Sequence, residues 1–186
     1  MTQATVRSLP ARVRTLTAVL AALLSGAVLW RFGWAPETPA LLLLTAFGVV
    51  LAVIDLRTRL LPNAILLPFA IAALMLLTVA CAVPGDWSRL GGAVIGGAAM
   101  FGLYLVLALV SPGSLGMGDV KLAAVLGLYG GYAGMTAWLA TVLGGFVLGG
   151  IISVVLLLVT KASANSVFPF GPPMIAACFA ALMLFG

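Results

Sequence analysis

The chain has 186 residues, of which 64% are hydrophobic and 7% charged, with a mean hydropathy of +1.30. That balance excludes a soluble globular domain, and the absence of period-two alternation excludes a transmembrane barrel, so an all-α, polytopic integral membrane bundle is expected. The formal charge of +5 comes from nine basic residues scattered along the chain, a distribution that points to membrane topology and not to nucleic acid.

Apolar runs between polar punctuation predict seven spans. Residues 1–15 read as a basic tail. The first span, Leu16–Phe32, follows "RSLPARVRT" and has the layout of a signal peptide. Its apolar stretch is long for that role and no A-x-A site follows, so a retained helix over 16–32 is expected. "GWAPETP" separates it from the second span, Pro39–Ile54, which ends in "DLRTRLLPN". The third, Ala64–Val83, stops at "VPGDWSR", and the fourth, Leu90–Val110, at "SPGSLGMG". The fifth, Val120–Tyr132, is short, and Gly130–Gly131 reads as the break before the sixth, Met135–Thr160. "KASANSVFP" leads into the last span, Phe170–Gly186. Gly92 with Gly96, and Gly145 with Gly149, stand four apart, the spacing that lets helices approach closely in lipid.

The sequence has no histidine and two cysteines, Cys81 and Cys178, both within apolar runs. A histidine-based triad is excluded, and a zinc site or haem attachment is not expected. Alternation of the spans places Arg7, Arg12, Arg14, Arg57, Arg59, Lys121 and Lys161 on one face. Arg31 and Arg89 fall on the other, beside Glu37 and Asp86. The positive-inside rule makes the first face, with the amino terminus, cytoplasmic.

The sequence has four carboxylates, and two of them are ordinary: Glu37 among prolines and Asp86 in a Pro-Gly-Asp turn. Asp55 ends the run "LLLLTAFGVVLAVID" and Asp119 opens "DVKLAAVLGL". Ionisable groups at a membrane boundary are costly and mark function by default. Two spans separate them, so both lie on the same face. Each has a plain alternative: Asp119 as an N-cap, and Asp55 as a helix-end anchor to Arg57 or Arg59. Together they read as an aspartyl dyad sharing one proton. The ionised member takes a proton from water attacking a peptide carbonyl, while the protonated member polarises that carbonyl and assists departure of the amine. This chemistry needs no metal or cofactor. The helix dipole favours a negative charge on Asp119, at an amino end, over Asp55, at a carboxyl end, so Asp119 is the expected base and Asp55 the expected proton carrier.

Three segments carry a family resemblance. "GMGDVK" (Gly116–Lys121) resembles the GxGD motif of intramembrane aspartyl proteases, in the form seen in bacterial type IV prepilin peptidases. "DLRTRLLPN" (Asp55–Asn63) resembles the family's other aspartate motif, and "FPFGPPM" (Phe168–Met174) its segment before the final helix. The resemblance implies a six-helix peptidase core over residues 38–186, preceded by one additional transmembrane helix, with Asp55 and Asp119 catalytic. It implies cleavage of a short basic leader after Gly, at the cytoplasmic face of the inner membrane. The implied substrate is a prepilin or pilin-like secretion subunit, with the lipid bilayer as the other expected partner. Gly116 and Gly118 are expected to let backbone approach the dyad, and Pro62 and Asn63 to start a helix. Pro169 and Gly171 are expected to shape the cleft. Lys121 matches the family lysine but points to a helix face other than that of Asp119, and snorkelling to the headgroups is its plain alternative. Longer relatives carry an amino-terminal methylating region with paired C-x-x-C motifs, which this sequence lacks. Cleavage without N-methylation is therefore expected, as in the short peptidases of tight-adherence (Flp-type) pili. The rival reading is a small proton- or cation-coupled transporter using the same two acids, although no inverted repeat is visible.

Overall fold

A computed structural model of the chain describes residues 10–111, 115–160 and 169–186. Arg7, Lys161 and Phe168 lie outside the described residues. Seven helices follow one another: α1 Ala11–Phe32, α2 Thr38–Thr58, α3 Asn63–Ala82, α4 Trp87–Val110, α5 Met117–Ala133, α6 Met135–Thr160 and α7 Gly171–Phe185. There is no strand among the described residues. Helices α1, α2, α3, α4 and α6 are long and apolar enough to cross a membrane. At about 1.5 Å per residue they match a hydrocarbon core of about 30 Å. The α5 helix has 17 residues and α7 has 15, and both lie within the bundle.

α5 is the central helix. Val120, Leu122, Ala123, Leu126, Tyr129 and Tyr132 on it are buried, and it packs against α3, α4, α6 and α7. No single face of it is polar because almost every face meets protein. Its tightest neighbour is α4, and glycine explains why. A Cβ on Gly92 would stand 2.7 Å from the Gly131 carbonyl oxygen, and one on Gly96 would stand 2.7 Å from that of Gly127. The two backbones thus touch directly, which only Gly permits. Trp138 on α6 locks the seam by donating its indole N–H to the Gly96 carbonyl at 2.9 Å.

This packing corrects one expectation. Gly130–Gly131 is not a break: α5 runs through both residues and turns at Gly134, whose φ of 116° suits glycine. Gly131 packs on α4, and Gly130 on Trp138 and Thr141 of α6. The first helix also starts earlier than its apolar run, at Ala11. The Pro10 carbonyl accepts the Val13 and Arg14 amides, so Arg12 and Arg14 ride on the helix.

α1 is peripheral. Val28 is its buried residue, and its neighbour is α2, joined through the Ser25 and Thr45 hydroxyls at 2.9 Å. At one end of the bundle, Arg31 reaches the Gly186 carbonyl at 3.2 Å and Arg89 lies over the Tyr132 ring. Trp30, Trp34 and Trp87 are exposed there, as in an interfacial aromatic belt. Cys81 and Cys178 are buried free thiols. The opposite end gathers the carboxyl end of α2 and the amino ends of α3, α5 and α7.

Candidate active site

α2 does not stop at Asp55 but continues to Thr58. It is closed by Arg59 in the left-handed region (φ 53°), whose N–H donates to the Asp55 carbonyl at 2.8 Å. The Asp55 side chain therefore lies one turn inside the helix and is 3% exposed. Its Oδ2 is met by backbone: Gly171, the first residue of α7, donates its N–H to it at 2.9 Å. A helix amino terminus suits such a carboxylate. Neither Arg57 nor Arg59 forms an ion pair with it; among the described residues the ion pair seen is Arg89 with Asp86, at 3.3 Å.

Asp119 is the third residue of α5, not its N-cap. Gly116 holds the cap position, and its N–H donates to Asp119 Oδ2 at 3.2 Å. This is the carboxylate half of a capping box. The other oxygen, Oδ1, is buried and has no hydrogen-bond partner. Asp119 follows Gly118, which packs against Leu61 in the link after α2, so the acids of two separate motifs lie at the same end of the bundle.

The remaining motif residues take definite places. Gly118 lies against Leu61, which is buried; a Cβ on it would stand 2.8 Å from Leu61 Cβ. Pro62 caps α3 and Asn63 begins it. Lys121 neither reaches Asp119 nor swings free, but donates to Asn63 Oδ1 at 2.9 Å, tying the start of α5 to the start of α3. Beside this pair, Leu66, Ala70, Gly97, Phe101 and Ala124 line an apolar groove of about 660 Å³ floored by α5. Gly171 serves Asp55 directly, while Pro169 is half-buried one residue ahead of the α7 cap, Phe170.

Two aromatic residues also belong to the site: Phe170, within the FPFGPPM segment, and Tyr104, which carries no motif signal. Phe170, just before Gly171, packs with Tyr104 of α4 and Phe146 of α6, with ring centroids 6.4 Å and 6.0 Å away. Tyr104 is fully buried and stands opposite Asp119 in the α4–α5 register set by Gly92 on Gly131 and Gly96 on Gly127. The hint in the sequence is a single hydroxyl within "MFGLYLVLALV". Asp86, by contrast, is an exposed loop carboxylate. The Ser88 hydroxyl donates to it at 2.6 Å and holds its pKa below the ordinary value.

Residues 42–154 match the type IV leader peptidase family. The chain is 34% identical over 162 residues to a prepilin leader peptidase/N-methyltransferase of Stutzerimonas stutzeri, covering 87% of this chain and 55% of that protein. It is 37% identical over 158 residues to the protein of that name from Pseudomonas putida, covering 84% and 54%. For the one from Pseudomonas aeruginosa the figures are 32% over 169 residues, 90% and 57%. The chain thus spans about half the length of the curated relatives it matches. No solved structure matches it. The chain belongs to the type IV leader peptidase family.

Proposed function

We propose that this family member is a membrane-embedded aspartic endopeptidase that removes the leader of a prepilin or pilin-like subunit. The observation that carries the reading is the placement of both Asp55 and Asp119 at the same end of an otherwise apolar bundle. Each is held by a backbone N–H, from Gly171 and Gly116. An ion-conducting site would sit nearer mid-membrane, at unwound helix; here both acids lie within a turn of helix ends.

The mechanism follows from what two adjacent carboxyls do. One ionises readily and the pair keeps the remaining proton. The ionised member, Asp119, whose Oδ1 is buried with no partner, takes a proton from water as the water oxygen bonds to the scissile carbonyl carbon. Protonated Asp55 hydrogen-bonds the carbonyl oxygen and stabilises its developing charge. On collapse the C–N bond breaks, the proton taken from water passes to the amine nitrogen, and the dyad keeps its single proton.

The dyad end faces the cytoplasm in this reading, because Arg57, Arg59 and Lys121 cluster there. That is where the basic leader of a membrane-inserted subunit would lie, with cleavage after its Gly. The reading is peptidase activity without N-methyl transfer, as in the short peptidases of tight-adherence pili that the sequence resembles.

The test is mass spectrometry of a prepilin-like substrate incubated with the protein in liposomes. A product cut after the leader Gly, with no methyl increment, is expected. An uncut substrate across several pilin leaders would overturn the peptidase reading, and a gain of about 14 Da on the new amino terminus would overturn its methylation clause.

A further inference from the structure

The sequence has three tyrosines, and their hydroxyls are treated differently. Tyr129, in the core, donates to the Ala40 carbonyl at 2.9 Å. Tyr132 lies against the Arg89 guanidinium, 5.5 Å from the ring centre. Tyr104 is 0% exposed, and its hydroxyl has no partner. Buried polar atoms are nearly always paired, so an orphan marks either a cost or a role. Among the described residues one other buried side-chain oxygen lacks a partner: Oδ1 of Asp119.

The two orphans complement each other. A phenol is a hydrogen-bond donor at physiological pH and a carboxylate oxygen an acceptor, and the α4–α5 register that sets Gly92 on Gly131 and Gly96 on Gly127 brings Tyr104 opposite Asp119. The Tyr104 ring is held rigidly, stacked on Phe146 at 5.3 Å and tilted against Phe170 at 6.4 Å. Its hydroxyl lies 3.4 Å from where a Gly145 Cβ would be, and that same point is 3.7 Å from Met174 Cα. Met174 is one turn into α7 from Gly171, the partner of Asp55. The hydroxyl therefore lies beside α6 and the first turn of α7, whose Gly171 holds Asp55.

Resting on the peptidase reading, we propose that the Tyr104 hydroxyl and Asp119 Oδ1 together hold the lytic water. Tyr104 donates a hydrogen bond to one lone pair of the water oxygen, and Asp119 Oδ1 accepts a water proton. The second lone pair is left to attack the carbonyl carbon. Tyr104 is not consumed and transfers no proton; it fixes the direction of attack.

The test is Tyr104→Phe, which keeps the ring, its stacking and its volume. The expected result is a fall in kcat of about 10- to 100-fold, with KM within about twofold. Because only an unpaired hydroxyl is removed, Tm should be unchanged or higher. A kcat within about threefold of wild type overturns the proposal, as does a clearly lowered Tm, which would make the hydroxyl a packing anchor. A second readout does not depend on cleavage. The Asp119 carboxyl band is identified in infrared difference spectra by its loss in Asp119→Asn, and it should shift in Tyr104→Phe. An unmoved band overturns the water-holding pair even in a preparation that cleaves no leader, whereas an uncut substrate with a shifted band would count against the peptidase reading alone.

Discussion

Gly171→Ala places a methyl group directly against the buried acid. The added Cβ would sit 2.8 Å from Asp55 Oδ2 and 3.3 Å from its Cγ. Ordinary contact begins at 3.4 Å, so the carboxylate or the α7 cap must shift by about 0.6 Å, at a cost of about 1–3 kcal/mol for overpacking. The same shift stretches the 2.9 Å bond from the Gly171 N–H, worth about 0.5–1.5 kcal/mol. Displacement of this size at a reacting group lowers rate more than stability. We expect leader cleavage by Gly171→Ala to fall about 10- to 100-fold in kcat, with the protein still folded in detergent. Gly102→Ala is the control: it lies within α4 with nothing within 4 Å, and removing a helical glycine should leave activity intact and raise stability by up to about 1 kcal/mol. A Gly171→Ala enzyme within about threefold of wild type would refute the claim that this glycine is required by contact with Asp55.

Other outcomes follow from the same contacts. Lys121→Ala and Asn63→Ala should each reduce cleavage a few-fold, and a double-mutant cycle should show coupling of about 0.5–1.5 kcal/mol, because the two share one hydrogen bond; additive effects would refute the link. Gly127→Leu should unfold the α4–α5 seam, since even a Cβ there meets the Gly96 carbonyl oxygen at 2.5 Å; a Tm unchanged in thermal unfolding would contradict the packing. The pH dependence of kcat/KM should be bell-shaped, because one dyad carboxyl must be ionised and the other protonated; a monotonic rise from about pH 5 to pH 9 would exclude shared-proton chemistry. A cysteine at Arg59 should be labelled from the cytoplasmic side and one at Ser88 from the opposite side, against a background of the buried Cys81 and Cys178; the reverse pattern would invert the proposed orientation.

The helices were legible because hydropathy reports lipid contact directly, and the runs ending at Phe32, Val110 and Thr160 stop where the helices stop. Boundaries failed where polarity and helix diverge. Thr15 and Arg14 look like tail, yet the Pro10 carbonyl starts the helix before them. Gly130–Gly131 looked like a terminator because glycine weakens an isolated helix; inside a bundle the same residues are what allow α4 to approach. The motifs pointed to Asp55 and Asp119 but not to their partners. Gly171 is 116 residues from Asp55, and Asn63 is 58 from Lys121, so only folding brings each pair together. Tyr104 was silent because a buried tyrosine in an apolar run reads as core until its hydroxyl is found unpaired.

The central claim is that Asp55 and Asp119 act as one catalytic unit, and single Asp→Asn variants in liposomes test it most directly. Leader cleavage by Asp55→Asn and by Asp119→Asn should each fall by about 10³-fold or more, while Asp86→Asn, an exposed loop carboxylate, should cleave as wild type. Cleavage surviving in either dyad variant would contradict the account.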